Sequence, residues 1–288
     1  MIAIIKKELK QYFYSMVGFV FLAFFLAIIG LYTWAGNLSQ GIGNFEMTLG
    51  NLTFIYVILI PILTMRIVAE ENKQKTDQLL YTAPISLTKV IIGKYLAVMA
   101  LFTIGVLVIS LYPLLISSYG EGVRLSLAYS SIIGYYLLGA ANIAIGLFIS
   151  SLTESQVIAA VVSFIVLLLS NMLSSIATML PSDSLSQAVM LAVIWIVVCV
   201  IVYNAMNNMI ITAGLAVVGE AVIWIIYAAN KSIYENLLSK VAGVFVVSAR
   251  YNDFELGILK YDAIVYYLSV VFIFVFLTIQ VIKKKRFG

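Results

Sequence analysis

Eight long apolar stretches dominate the sequence of 288 residues and limit the folds open to it. They cover residues 15–36, 51–69, 90–117, 127–150, 157–180, 186–203, 209–229 and 262–282. A helix needs about 20 mostly apolar residues to cross the hydrocarbon core of a bilayer, whereas barrel strands alternate over segments of about ten. We therefore predict an all-α, polytopic membrane helical bundle with about eight transmembrane helices. The third stretch is long enough to tilt or to break near Pro113.

The composition excludes a soluble enzyme or a free binding domain. Hydrophobic residues make up 63% of the chain and charged residues 10%, and the mean hydropathy is +1.10. Soluble domains carry about 25% charged residues, which cover their surface. So few charges cannot solvate a globular surface, and the apolar stretches must face lipid or one another.

The basic residues predict how the chain is oriented. With both termini in the cytoplasm, the inner segments carry twelve lysines and arginines and the outer segments carry five. An excess of these residues marks the cytoplasmic side of a membrane protein. We expect a multi-pass protein of the cell (plasma or inner) membrane, forming a single transmembrane domain over residues 1–288.

Two segments beside the spans are predicted to form interfacial helices. In residues 1–14, apolar residues recur at helical spacing with lysines elsewhere on the wheel, which is typical of an amphipathic helix on the inner leaflet. In the extracytoplasmic segment 230–261, an apolar face predicts a second interfacial helix on the outer surface.

The cytoplasmic linker between the second and third spans, residues 70–89, is rich in charge. Residues 66–89 hold seven of the thirty charged residues of the chain. Pro84 would end a short helix formed by residues 76–82, and Ser86 can cap the helix that follows. Such a helix suits docking into a groove on a soluble partner, and the alternative is a solvated loop.

Few residues suggest catalysis. The chain has no histidine and one cysteine, Cys199, and it lacks a phosphate-binding loop. Glu70 and Glu71 are adjacent, so on a helix they point about 100° apart, which is poor geometry for shared acid–base chemistry. We expect no catalytic residue, cofactor or metal on this chain, and no nucleic-acid partner.

Some polar residues within the spans are candidates for a transport pathway. Glu220 is an acid deep in a predicted span, where it is either a proton or substrate site or a neutral, hydrogen-bonded group. In the fifth span, a polar stripe either lines a pathway or joins helices by hydrogen bonds. The pathway candidates on that span are Ser163, Ser170, Asn171, Ser174 and Thr178.

The linker and the C-terminal stretch resemble type-2 ABC exporter permeases. The family pattern, approximately E-E-x-x-x-G-T-x-E-L-L-L-T-x-P-[VI]-S followed by G-K, corresponds here to Glu70, Glu71, Thr76, Leu79, Leu80, Thr82, Pro84, Ile85, Ser86, Gly93 and Lys94. Lys75, Gln78 and Tyr81 depart from it. The stretch from Phe254 to Thr278 is similar to the gliding-motility-type branch.

This resemblance implies an ATP-driven exporter in which the chain is the membrane subunit. It would pair with a second permease, as a homo- or heterodimer, and with separate ABC ATPase subunits that hold ATP and magnesium. Residues 72–86 would be the coupling helix, and the coupling residues would be Glu71, Thr76, Leu79, Leu80, Thr82, Pro84 and Ser86.

Two alternatives stay open: a proton-coupled secondary transporter using Glu220, or a non-transporting subunit relaying ATPase motion to external proteins through residues 230–261. Membrane lipids and an extracytoplasmic protein are further candidate partners, and the substrate is unassigned.

Overall fold

The computed structural model describes residues 1–75, 86–119, 123–206 and 209–287, and in this part of the chain the regular structure is helical. The α-helices are α1 Ile2–Tyr14, α2 Val17–Thr33, α3 Phe45–Asn51, α4 Ile55–Thr64, α5 Ala69–Gln74, α6 Leu87–Ile109, α7 Tyr112–Tyr119, α8 Leu125–Leu152, α9 Gln156–Met179, α10 Ser184–Met206, α11 Met209–Ala229, α12 Leu237–Phe245, α13 Tyr251–Glu255 and α14 Tyr261–Phe287. A π-helical turn, Trp34–Leu38, extends α2, and 3-10 turns occupy Lys231–Tyr234 and Val247–Arg250. The predicted all-α helical bundle is confirmed.

The number of long apolar helices is close to the predicted eight. Within the described residues, six helices are long and apolar enough to cross a membrane, and a bent pair supplies a seventh. The remaining predicted span, 186–203, corresponds to α10, whose apolar part, Ser184–Val200, is shorter than the other six. A polytopic bundle is therefore consistent with the structure, with six to seven clear spans and one short one.

The second span is bent, and the third is interrupted. The second consists of Phe45–Asn51 and Ile55–Gln74, which meet at an angle of 64°. The third breaks between α6 and α7 at Ser110 and Leu111, just before Pro113. Proline is tolerated in the first turn of a helix, where its missing N–H would have no partner, so the helix breaks before the proline rather than at it.

The chain forms two compact units, residues 1–171 with 247–288, and residues 172–246. Helix α8 is the centre of the first unit, since 78% of its apolar stretch is buried. Tyrosine hydroxyls attach neighbouring helices to its backbone: the Tyr56 hydroxyl donates to the Tyr135 carbonyl at 2.9 Å, and that of Tyr95 donates to the Ala140 carbonyl at 3.1 Å. These bonds satisfy buried polar groups and give an otherwise apolar core its directional contacts.

The second unit is built on the hairpin of α10 and α11. The Trp195 indole N–H donates to the Leu215 carbonyl at 3.3 Å, and the Tyr234 hydroxyl donates to the Ile223 carbonyl at 2.7 Å. Helix α12 lies in the predicted extracytoplasmic segment, and its Ser239 hydroxyl donates to the carbonyl of Ala177 at 3.0 Å. This bond joins α12 to the end of α9.

Close helix packing in the first unit makes Gly139 a sensitive position. A methyl group at Gly139 of α8 would clash with the ring of Phe102, whereas one at Gly214 of α11 would meet no atom within 4 Å. We expect Gly139→Ala to lower the free energy of unfolding by about 1–3 kcal/mol through overpacking. Gly214→Ala is the matched control, and it should be neutral or stabilise by about 0.5–1 kcal/mol, since alanine is the better helix former. Thermal unfolding in detergent measures both, and a lower midpoint for Gly214→Ala would contradict the packing argument.

Candidate functional site

The described part of the predicted coupling segment is its root, which we define as residues 66–75. Glu71 lies in α5, and Ser86 lies directly before α6. The other predicted coupling residues, Thr76, Leu79, Leu80, Thr82 and Pro84, lie outside the described residues. Ser86 is the N-cap residue of α6, but its side chain makes no capping hydrogen bond there. The root and the start of α6 therefore carry the geometry of the site.

A buried lysine holds the root. The Lys94 side chain is 2% exposed, and its ammonium lies 2.8 Å from Glu71 Oε1 and 3.1 Å from Glu8 Oε1. It also donates to the carbonyl of Ile67 at 3.0 Å. A lysine ammonium has three donors, and these three acceptors match them. Because the acceptors come from α1, α5 and the turn before α5, one charge on α6 joins three separate parts of the chain.

Lys7 completes this group, which we call the Lys94 cluster: Lys7, Glu8, Glu71 and Lys94. The Lys7 ammonium lies 3.4 Å from Glu71 Oε1 and 3.6 Å from Glu8 Oε1, and its side chain is 58% exposed. Two acids and two bases give the cluster no net charge. Removing one member of a buried ion pair leaves an uncompensated charge, which is strongly destabilising.

Gly93 explains how α1 approaches closely enough to form the cluster. A Cβ at Gly93 would lie 3.1 Å from Cγ2 of Ile4, so a larger residue would push α1 away from α6. The adjacent glycine and lysine thus have complementary structural roles. Gly93 permits the contact between the helices, and Lys94 makes the polar bond.

A second attachment joins the root to the end of α8. The Ser150 hydroxyl accepts from the backbone N–H groups of Val68 and Ala69, at 3.3 and 3.2 Å, and donates to the Met65 carbonyl at 3.2 Å. The Asn72 amide donates to the Thr153 carbonyl at 3.3 Å. These bonds fix the root against the turn that follows α8.

The last helix, α14, reaches the end of α8. The Lys285 ammonium, near the end of α14, donates to the carbonyl of Ser151 at 2.8 Å. Helices α1, α6 and α8 therefore contact the root, and α14 contacts the end of α8 beside it.

Glu70 and Glu71 act separately, as their spacing predicts. Glu70 accepts two hydrogen bonds from the Arg66 guanidinium, at 2.7 and 2.8 Å, one turn earlier on the chain. Glu71 instead belongs to the Lys94 cluster. The first pair stabilises the root locally, and the second joins it to other helices.

The pathway candidates are not gathered into one site by the described contacts. Ser163 is fully buried, Ser170 accepts from the backbone N–H of Val247 at 3.4 Å, and the Asn171 amide donates to Leu167 of its own helix at 2.9 Å. Glu220 on α11 has one buried carboxyl oxygen, Oε1, without a hydrogen-bond partner among the described residues. The side chains of Ser174 and Thr178 lie outside the described part.

Sequence reasoning missed Glu8 and Ser150. Glu8 is the acid of α1 and is 5% exposed, so an acid among lysines on an amphipathic helix was the available signal. The sequence around Ser150 does not mark it as a site residue. A serine near the end of an apolar run is common, and the partners of Ser150 lie more than 80 residues away in the chain.

Comparison with known proteins identifies a family for the chain. Residues 2–187 match the family model described as ABC-2 family transporter protein, so the match includes α1, the root, Lys94 and Ser150. No curated protein matches the chain. Since the matched residues are well over half of the sequence, this multi-pass membrane protein belongs to the ABC-2 transporter family.

Proposed function

We propose that this chain is the membrane subunit of an ATP-driven exporter, with both termini in the cytoplasm. In the proposed complex it forms the translocation pathway with a second permease and takes its energy from separate ABC ATPase subunits. The family match carries this proposal, since permeases of this family generally work with ABC ATPases and often form dimers. The similarity of Phe254–Thr278 to the gliding-motility branch is part of the proposal and suggests no substrate.

The geometry of the root supports a role for residues 72–86 in docking an ATPase. A docking segment transmits force only if its base is attached to the helices that must move. Glu71 is bonded to Lys94 of α6, and through Lys94 to Glu8 of α1. A displacement of the segment would therefore reach α1 and α6 directly, and it would reach α8 through Ser150.

The proposed transition is a rigid-body movement rather than a local rearrangement. Packed helices and interfaces have discrete arrangements, so a small shift at one site changes the position of whole elements. The three helices that contact the root, α1, α6 and α8, are the elements on which such a shift would act. ATP and magnesium would be held by the partner ATPase, and the role of this chain is to couple and to form the pathway.

One observation favours a second candidate, a proton-coupled transporter. The buried Glu220 oxygen has no hydrogen-bond partner among the described residues, and an acid within a membrane span is a functional candidate by default. In this alternative Glu220 would take up and release the proton.

Reconstitution distinguishes the two functions without knowledge of the substrate. The chain is placed in proteoliposomes alone or together with a candidate partner ABC ATPase. The exporter proposal expects the permease to change the rate of ATP hydrolysis by the ATPase, and expects the chain alone to move no protons, as followed with a pH-sensitive dye. Two results together would overturn the exporter proposal. The chain alone would move protons and lose this activity in Glu220→Gln, and the permease would leave the rate of ATP hydrolysis unchanged.

A further inference from the structure

One face of α1 packs against the protein, and the opposite face is exposed apart from the ion pairs that Lys7 forms with Glu8 and Glu71. On the packed face, Glu8 bonds to Lys94, and the Tyr12 hydroxyl donates to the Leu63 carbonyl at 2.8 Å. The opposite face forms an exposed stripe at helical spacing, and the stripe lines an open groove of about 570 Å³. The residues of this stripe are Ala3, Lys6, Lys7, Lys10, Gln11 and Tyr14.

The stripe carries positive charge that the protein itself does not balance. Lys7 is paired with Glu8 and Glu71, but no described acid forms an ion pair with Lys6 or Lys10. Lys6 and Lys10 are four residues apart on the helix, so they lie side by side. Like charges at this spacing destabilise an isolated helix by about 0.2–0.5 kcal/mol, and a bound anion removes that repulsion.

Apolar groups beside the stripe identify the kind of anion. Helix α1 leads at Ser15 and Met16 into the apolar helix α2, and Met16 adopts a left-handed conformation at the junction. Ile2 and Tyr14 are 80% and 84% exposed, and Met16 is 67% exposed. Lysines beside exposed apolar and aromatic residues, next to a membrane span, are typical of helices that lie at the lipid headgroups.

We propose that this stripe is a binding site for an anionic phospholipid. The phosphate would sit between the ammonium groups of Lys6 and Lys10, within reach of the Gln11 amide and the Tyr14 hydroxyl. The acyl chains would cover the apolar residues at the ends of α1. An acidic protein segment would neutralise the lysines but would leave those apolar residues in water, so the observations favour a lipid. The proposal does not depend on the proposed transport function.

Native mass spectrometry of the full-length protein tests this site directly. The protein is mixed in detergent with phosphatidylglycerol or phosphatidylcholine, and the bound lipids are counted. We expect the wild-type protein to bind more phosphatidylglycerol than phosphatidylcholine. In the double variant Lys6→Gln with Lys10→Gln, the ratio of the two bound lipids should fall about fivefold for each lysine removed, since a lysine near an anionic surface contributes about 1 kcal/mol. Lys6→Arg with Lys10→Arg keeps the charge, and it should bind like the wild type.

The matched control is Lys231→Gln with Lys240→Gln, which removes two exposed lysines from another segment and changes the net charge equally. This pair should keep the wild-type preference. An equal loss in both glutamine pairs, or no preference in the wild-type protein, would overturn the site. Inorganic phosphate should not displace the lipid; if it does, the groove binds free phosphate and the lipid proposal is wrong. Binding of an acidic peptide in place of phosphatidylglycerol would also overturn it.

Discussion

Lys94→Met is expected to destabilise the protein strongly and to disconnect the linker from the membrane helices. The substitution keeps an unbranched side chain one atom shorter than lysine, but it leaves Glu8 and Glu71 buried with only the partly exposed Lys7 as a partner. Breaking a buried ion pair from one side costs about 3–5 kcal/mol. Thermal unfolding in detergent should show this loss, and the ATPase reconstituted with the variant should hydrolyse ATP at the rate of the ATPase alone.

A control and a compensated variant separate stability from coupling. Lys89→Met removes an exposed lysine from the same helix and should leave both measurements near the wild type. In the triple variant Lys94→Met, Glu8→Gln and Glu71→Gln, no acid is left unpaired, so most of the stability should return. The ion pairs between α1, α5 and α6 are still absent, and we expect the ATPase rate to stay uncoupled. Full recovery of coupling in the stable triple variant would show that the cluster serves stability alone.

Leu79→Asp combined with Leu80→Asp is expected to abolish association with the ATPase. Both residues are in the proposed docking segment, and replacing buried apolar residues at the centre of an interface by charges removes the contacts that usually carry most of its energy. We expect at least about a tenfold loss of ATPase recovered with the permease, since each such residue contributes about 2 kcal/mol. Co-purification from membranes measures the association.

Leu256→Asp with Leu259→Asp is the matched control, because both leucines are more than half exposed and lie on the segment before α14. This variant should retain the ATPase at the wild-type level. Both double variants must elute as inserted, monodisperse protein before the comparison is made. Unchanged recovery of the ATPase with the Leu79 and Leu80 variant would count against residues 72–86 as the docking element.

The architecture could be predicted from the sequence because run length and charge are local properties. The all-α fold and most of the spans follow from apolar stretches longer than a bilayer is thick. The bend in the second span could not be predicted in this way, since residues 45–51 lie before the predicted stretch and the angle depends on tertiary packing. The sixth stretch, 186–203, is the shortest of the eight in the sequence, and α10 agrees with this, since its apolar part covers only Ser184–Val200.

The site was predictable only in part, for a related reason. Glu71 and Lys94 belong to a recognisable linker pattern, but their partner Glu8 lies 86 residues from Lys94 in the chain. Glu8 stands out as the acid among the lysines of residues 1–14, but nothing local to that segment indicates that its partner is a lysine on another helix. For Ser86, the position at the start of α6 was predictable from the sequence. The orientation of its hydroxyl, which makes no capping hydrogen bond, was not.

The bond between Glu71 and Lys94 has a topological consequence. Glu71 precedes residues 76–85 and Lys94 follows them, so the ion pair closes the intervening chain into a loop with a fixed base. Closing a loop reduces the conformational freedom of the chain, and this entropy is lost when the protein folds rather than when a partner arrives. A partner that binds the chain between Glu71 and Lys94 would therefore not have to supply this part of the ordering free energy.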